Sequence, residues 1–208
     1  MLADRQLARL TTLFQHGSDD ASLALSKWLG RPSRISVEQV EQVPLADATE
    51  VLGDPEKPVC FCAMTLHGQV TGQLILAFDD ASGLGLADLL LERPIGTSTA
   101  WGDVEQSAAL ETANIIGCAY LNSLAKCFSE AAPQSLDQSH ELVPSPPQFA
   151  RDFAESLLQF ALMNQAMASD LIFLTRTEFR IENAPVNCNL LFVPDADCLN
   201  TLRGLLPA

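Results

Sequence analysis

Three polar side chains, Ser107, Glu111 and Asn114, interrupt an otherwise apolar stretch of this 208-residue sequence. At about 100° per residue on a helix, Glu111 falls roughly 40° to one side of Ser107 and Asn114 roughly 20° to the other. The three therefore form one row about two turns long. A hydroxyl, a carboxylate and an amide so aligned offer hydrogen bonds and one negative charge to whatever they face. Burying a carboxylate unpaired is expensive. The row should face solvent, a polar partner or another chain, unless Glu111 and Asn114 satisfy loop backbone groups within the core.

The stretch from Trp101 to Phe128 that carries them reads as one long helix. Asp103 suits the N-cap, and Gln106, three residues on, completes a capping-box pattern. From Ala108 to Leu124 nearly every residue is small or apolar, so most of the helix circumference should be buried.

Apolar positions at Leu7, Leu10, Leu13 and Phe14 predict a helix over 4–15, and His16-Gly17-Ser18-Asp19-Asp20 reads as a break. Ser18 or Asp19 then caps a second helix that Gly30-Arg31-Pro32 ends after Leu29. Ile35, Val37 and, after a shift, Val40 and Val43 predict an extended segment up to Pro44. Two apolar runs around His67-Gly68 predict a hairpin, followed by a helix over about 81–91. Beyond the long helix, 129–143 reads as a surface loop. Pro147 suits the first turn of a helix running to about Ala168, with Phe153, Leu157 and Phe160 as its core stripe. A second hairpin near 171–177 and 187–193 and a helix over about 196–206 close the chain.

The order of elements repeats, and D-D-A-S-G-L at 79–84 parallels P-D-A-D-C-L at 194–199. The chain is expected to be one domain, 1–208, built of two packed copies spanning about 1–96 and 97–208. A 99-residue shift, which matches Leu25 to Leu124, sets Ala8, Thr12 and Gln15 opposite Ser107, Glu111 and Asn114. The polar row is thus absent from the first copy, and one site per chain is expected.

A net charge of −14 argues against nucleic-acid or anionic-membrane binding, since both need basic patches. No apolar run reaches the roughly 18 residues of a membrane span. The first residues carry charge where a signal peptide needs an apolar core, so a cytoplasmic location is expected. The cysteines (Cys60, Cys62, Cys118, Cys127, Cys188, Cys198) lie scattered through apolar segments and read as buried free thiols, without the spacing of a zinc site. Gly83-Leu84-Gly85 lacks the Lys-Ser/Thr of a phosphate loop. His16, His67 and His140 read as loop residues with no nucleophile arrangement around them.

E-Q-S-A-A-L-E-T-A-N-I-I-G-C-A-Y-L-N-S-L resembles the signature helix of the CheC/CheX/FliY family of chemotaxis phosphatases. That family's site reads Asp or Ser, three residues, Glu, two residues, Asn, then a proline opening the next helix. The matching positions here are Ser107, Glu111, Asn114 and, in P-S-P-P-Q-F-A-R-D, Pro147, about ten residues further from Asn114 than the family's pattern has it. The resemblance implies an α+β fold: a CheC-like pseudo-two-fold duplication, with an antiparallel sheet and two long helices carrying the site. It implies hydrolysis of the aspartyl-phosphate of a CheY-type response regulator. Asn114 would then orient the attacking water, and Glu111 would pair with the regulator's active-site lysine. Ser107 would hold the helix start or contact the partner, and Pro147 would set how the central helices approach. No cofactor belongs to the chain itself; the Mg²⁺ would sit on the regulator's own carboxylates. The alternative is a binding module that docks a regulator or a CheD-like deamidase without hydrolysis; a third reading is a scaffold on the FliY side of the family.

Overall fold

In the computed structural model, which describes residues 2–44, 47, 52, 54, 56–68, 70–131, 142–156, 171–181 and 184–206, one antiparallel sheet carries long helices on one face. The elements are α1 (Asp4–Leu29), β1 (Ser33–Pro44), β2 (Pro58–Gly68), β3 (Gly72–Asp79), α2 (Asp80–Leu90), α3 (Asp103–Ala131), β4 (Leu142–Pro144), β5 (Gln148–Phe153), β6 (Leu171–Ile181), β7 (Ala184–Pro194) and α4 (Ala196–Leu205). The strand order is β1-β6-β7-β3-β2, and β4 and β5 share the outer edge of β2. β5 pairs with Pro58–Ala63 and β4 with Leu66–Gly68.

The first helix overturns the expected break at 16–20. α1 is continuous because Gly17 serves a helix crossing. A Cβ there would lie 2.6 Å from Tyr120 Cδ1, so only glycine admits the α3 ring. His16 is accordingly an exposed helical residue, not a loop residue. The small polar residues of α1 have a second use. β1 is an edge strand, and its outward amides donate to a ladder of α1 hydroxyls: Val40 N to Thr11 Oγ1 at 3.0 Å, Ile35 N to Ser22 Oγ at 2.8 Å, Ser33 N to Ser26 Oγ at 2.9 Å. Gln15 Nε2 donates to the Val37 carbonyl at 3.4 Å in the same row. An edge that would otherwise invite pairing with another chain is thereby closed. The expected shift in β1 falls between Val37 and Val40, and Gly30 ends α1 in the left-handed conformation at φ 63°.

β2 and β3 are apolar on both faces because both are covered. Cys60, Cys62, Met64, Leu74 and Leu76 face the helices with Phe14, Leu25 and Tyr120. Phe61, Ile75, Leu191 and Val193 form a second cluster on the opposite face with Leu52 and Ala154. Gly117 lets α3 lie on β2, since a Cβ there would run into Met64. Cys60, Cys62, Cys188 and Cys198 are buried free thiols.

Two further expectations are corrected near the site. Asp103 is not the N-cap of α3. Gly102 holds that position, its carbonyl accepting from Gln106 N at 3.0 Å. The residue that reaches back is Glu105, whose carboxylate is bonded by its own amide and that of Gly102. Pro147 opens no helix: it precedes β5, whose Phe153 is 48% exposed and not core. Each proline biases the residue before it away from the helical region, so Ser145 ahead of Pro146 and Pro146 ahead of Pro147 stay extended, which suits an edge strand. The expected loop at 129–143 is helical to Ala131 and extended over Leu142–Pro144; the positions of Leu157, Phe160 and His140 lie outside the described residues.

Candidate functional site

The exposed stripe of α3 follows from its burial pattern. Ala108, Ala109, Thr112, Ala113, Ile116, Tyr120, Leu121 and Leu124 face inward, which turns Ser107 and Glu111 to solvent and leaves Asn114 half-buried. Together with Leu110 these residues form one wall of a cleft of about 460 Å³; Pro144, Ser145, Pro146 and Pro147 form the other. All four residues singled out by sequence therefore meet at one cleft, with Pro147 acting from a strand-to-strand connection.

The facing wall accounts for why the row is not consumed by its own fold. Pro144, Pro146 and Pro147 have no amide hydrogen. The remaining amide, Ser145 N, donates to Thr65 O at 2.8 Å, and Thr65 N returns to Ser145 Oγ at 3.0 Å. Nothing on this wall can donate a backbone hydrogen bond to Glu111 or Asn114. On α1, by contrast, Thr12 donates to Ala8 O at 3.1 Å and Gln15 to Val37 O. Among the described residues, the side chains of Ser107 and Glu111 make no hydrogen bond, and Asn114 makes one, accepted from Cys118 Sγ at 3.7 Å. Neither Glu111 nor Asn114 bonds a loop backbone group among the described residues.

The cleft is pinned from outside by groups the sequence reading did not single out. Asp80 accepts from Arg151 Nε at 2.8 Å and Nη2 at 2.5 Å, and from Trp101 Nε1 at 2.8 Å. The Arg151 hydrogen bonds, aided by Trp101 and opposed by burial, hold its carboxyl down at about 2. This ties β5 to α2 and to the residue just ahead of α3. Trp101 also packs on Phe149 and Phe78, with ring centroids 4.9 and 5.9 Å apart. Fully buried Asp88 accepts from the amides of Gly96 at 2.8 Å, Thr97 at 2.9 Å and Ser98 at 2.9 Å. Burial raises its pKa, but the donors outweigh it and the carboxyl titrates below its usual range. That loop meets the start of α3 through Glu105, which accepts from Arg93 Nη1 at 3.0 Å and Ser98 Oγ at 3.1 Å. A tryptophan beside a helix start, with an N–H that needs a partner when covered, was the one sequence signal for this clamp.

A second, larger groove of about 1000 Å³ runs between α1 and α3, lined by Leu23, Ala24, Lys27, Ile115, Cys118 and Asn122 among others, and Asn114 borders both spaces. Leu23 stands 63% exposed on its rim. Among the described residues no group of three or more His, Cys, Asp or Glu side chains is placed to hold a metal ion, and no helix is long and apolar enough to cross a membrane. The row itself can donate and accept hydrogen bonds and present one carboxylate to a visiting group.

No protein-family model matches the sequence. Solved structures do match the fold. The chain is similar to Thermotoga maritima FliY, with a TM-score of 0.78 and 17% identity over 99% of this chain and 98% of that one. It is similar to the FliM middle domain of H. pylori, with a TM-score of 0.68 and 14% identity over 98% and 99%. It also resembles a chain of the CheX-CheY-BeF3-Mg²⁺ complex from Borrelia burgdorferi, with a TM-score of 0.50 and 15% identity over 86% and 95%. The chain has the α+β fold of the CheC/CheX/FliY family.

Proposed function

We propose that this chain hydrolyses the aspartyl-phosphate of a CheY-type response regulator at a single site centred on Asn114 and Glu111. The observation that carries the reading is the state of the row: an amide and a carboxylate at the mouth of a cleft whose opposite wall has no amide to give them. A relative of the same fold is seen with a CheY and BeF3, which supports a regulator as the visitor.

The chemistry asks little of the protein beyond placement. Water attacks phosphorus, the P–O bond to the regulator's aspartate breaks, and phosphate leaves with the carboxylate restored. Asn114 accepts from the water through Oδ1 and donates to a phosphoryl oxygen through Nδ2, which fixes the line of attack without a general base. Glu111 carries negative charge that repels the phosphoryl group, so its role is to pair with a cation of the partner. Ser107 lies at the partner-facing end of the row, and Pro147 keeps the facing wall free of amide donors. The Mg²⁺ belongs to the regulator, and none is assigned to this chain. In this reading the chain is one domain of two repeats, about 1–96 and 97–208, and only the second bears a site, since Thr12 and Gln15 are turned to their own backbone.

The test is to add the purified protein to phosphorylated CheY-type regulators and follow loss of phosphate. Acceleration supports the reading; unchanged decay with every regulator that binds would establish the second reading instead. The second reading, a non-catalytic module docking a regulator, a CheD-like protein or a flagellar-switch partner, draws its support from FliM of H. pylori, a chain of the same fold seen in complex with FliG.

A further inference from the structure

The hydrogen bond that Asn114 receives comes from Cys118, Sγ to Oδ1 at 3.7 Å. Helix geometry dictates the encounter, because each Cα–Cβ bond tilts toward the N-terminus and lays residue i+4 over residue i. Cys118 lines the groove between α1 and α3 but not the cleft, whereas Asn114 borders both. The thiol thus reaches the amide from the side away from Pro144–Pro147. The two ends of a carboxamide are not equivalent partners for it: S–H donates to an oxygen, while sulfur is a poor acceptor for N–H. Half a turn of the amide would lose the contact, so Oδ1 is kept on the groove side and Nδ2 is turned away from it. Donation requires a protonated thiol. Burial, and then the nearby charge of Glu111, raise the Cys118 pKa and keep it so at neutral pH.

We propose that Cys118 is a positioning residue for the phosphatase reaction, fixing the Asn114 amide with Nδ2 free for a phosphoryl oxygen and one Oδ1 lone pair free for the water. The inference rests on the phosphatase reading above. It is tested by steady-state dephosphorylation of the phosphorylated regulator with Cys118→Ala, Cys118→Ser, Asn114→Ala and the Cys118→Ala/Asn114→Ala double variant, with thermal midpoints measured alongside. Cys118→Ala should lower kcat roughly three- to fivefold, the size of a weak hydrogen bond, and leave KM within about twofold. Cys118→Ser, whose hydroxyl donates to the same oxygen, should return to within about twofold of wild type. In the Asn114→Ala background the Cys118→Ala change should add nothing, because the residue acts through the amide. Wild-type rates in Cys118→Ala, equal losses in the Ala and Ser variants, or additive losses in the double variant would each overturn the positioning role while an active wild type left the phosphatase reading intact. A wild type inactive toward every regulator would overturn both.

Discussion

Replacing Ser22 by alanine sets a helix rule against a sheet requirement, and the two predict opposite signs. Alanine is the better helix former by about 0.5 kcal/mol, so position 22 in α1 read alone predicts a gain. Against this, Ser22 Oγ accepts from Ile35 N at 2.8 Å, and Ile35 is 2% exposed on the edge strand. A buried amide left without an acceptor costs about 1–3 kcal/mol. The hydroxyl's own proton has two acceptors in reach, Ser18 O at 2.6 Å and Ile35 O at 3.3 Å; the shorter contact is to a carbonyl of the same helix and adds little. The sheet term wins, leaving a net loss of about 0.5–2.5 kcal/mol and a Tm lower by roughly 1–10 °C for a chain of this size. Urea and thermal unfolding monitored by circular dichroism measure it. Thr12→Ala is the matched control. Its exposed hydroxyl bonds only the Ala8 carbonyl of its own helix, so stability should stay level or rise by about 0.5 kcal/mol, with dephosphorylation unchanged. A Ser22→Ala protein as stable as wild type would refute the claim that α1 hydroxyls satisfy the edge of β1.

Asp88→Ala removes the acceptor for three loop amides and should destabilise the chain by about 2–4 kcal/mol in urea unfolding; a loss below about 1 kcal/mol would mean that water replaces the carboxylate. Asp80, held at about 2 chiefly by Arg151, has a folded pKa below the usual carboxylate value, so its contribution is complete above about pH 4 and lost as pH falls toward 2. Because the pair is about one-third exposed, the screened size is below about 1 kcal/mol, and Arg151→Met should flatten that acid limb of the stability profile. An unaltered limb would assign it to other carboxylates. Glu111→Gln should weaken binding to the phosphorylated regulator by about tenfold at low salt, the two curves converging as salt is raised; calorimetric titrations that coincide at low salt would remove the docking role.

Apolar periodicity and turn chemistry made the hairpins, the shift in β1, the end of α1 and the long α3 readable, because burial of alternate or helically spaced residues leaves a direct trace. What misled was residue function that depends on a distant partner. Gly17 and the serines around it look like a break when read locally, and only the arrival of Tyr120 and of β1 shows them to be a crossing point and an edge cover. Pro147 looks like a helix start until β2 pairs the residues after it. The row of Ser107, Glu111 and Asn114 was legible because polar groups on an apolar helix are costly and stand out. That the facing wall offers it no backbone donor was not, since this depends on Pro144–Pro147, some thirty residues away in sequence, forming that wall. Nor could Cys118 be told from the other thiols by spacing alone; its contact with Asn114 appears only with the side chains in place.

The most direct measurement is the rate at which a phosphorylated CheY-type regulator loses phosphate to saturating wild-type protein and to Asn114→Ala. If the amide places the water, the substitution lowers kcat by about a hundredfold while the regulator still binds with near wild-type affinity. Equal kcat values for the two proteins would contradict the account.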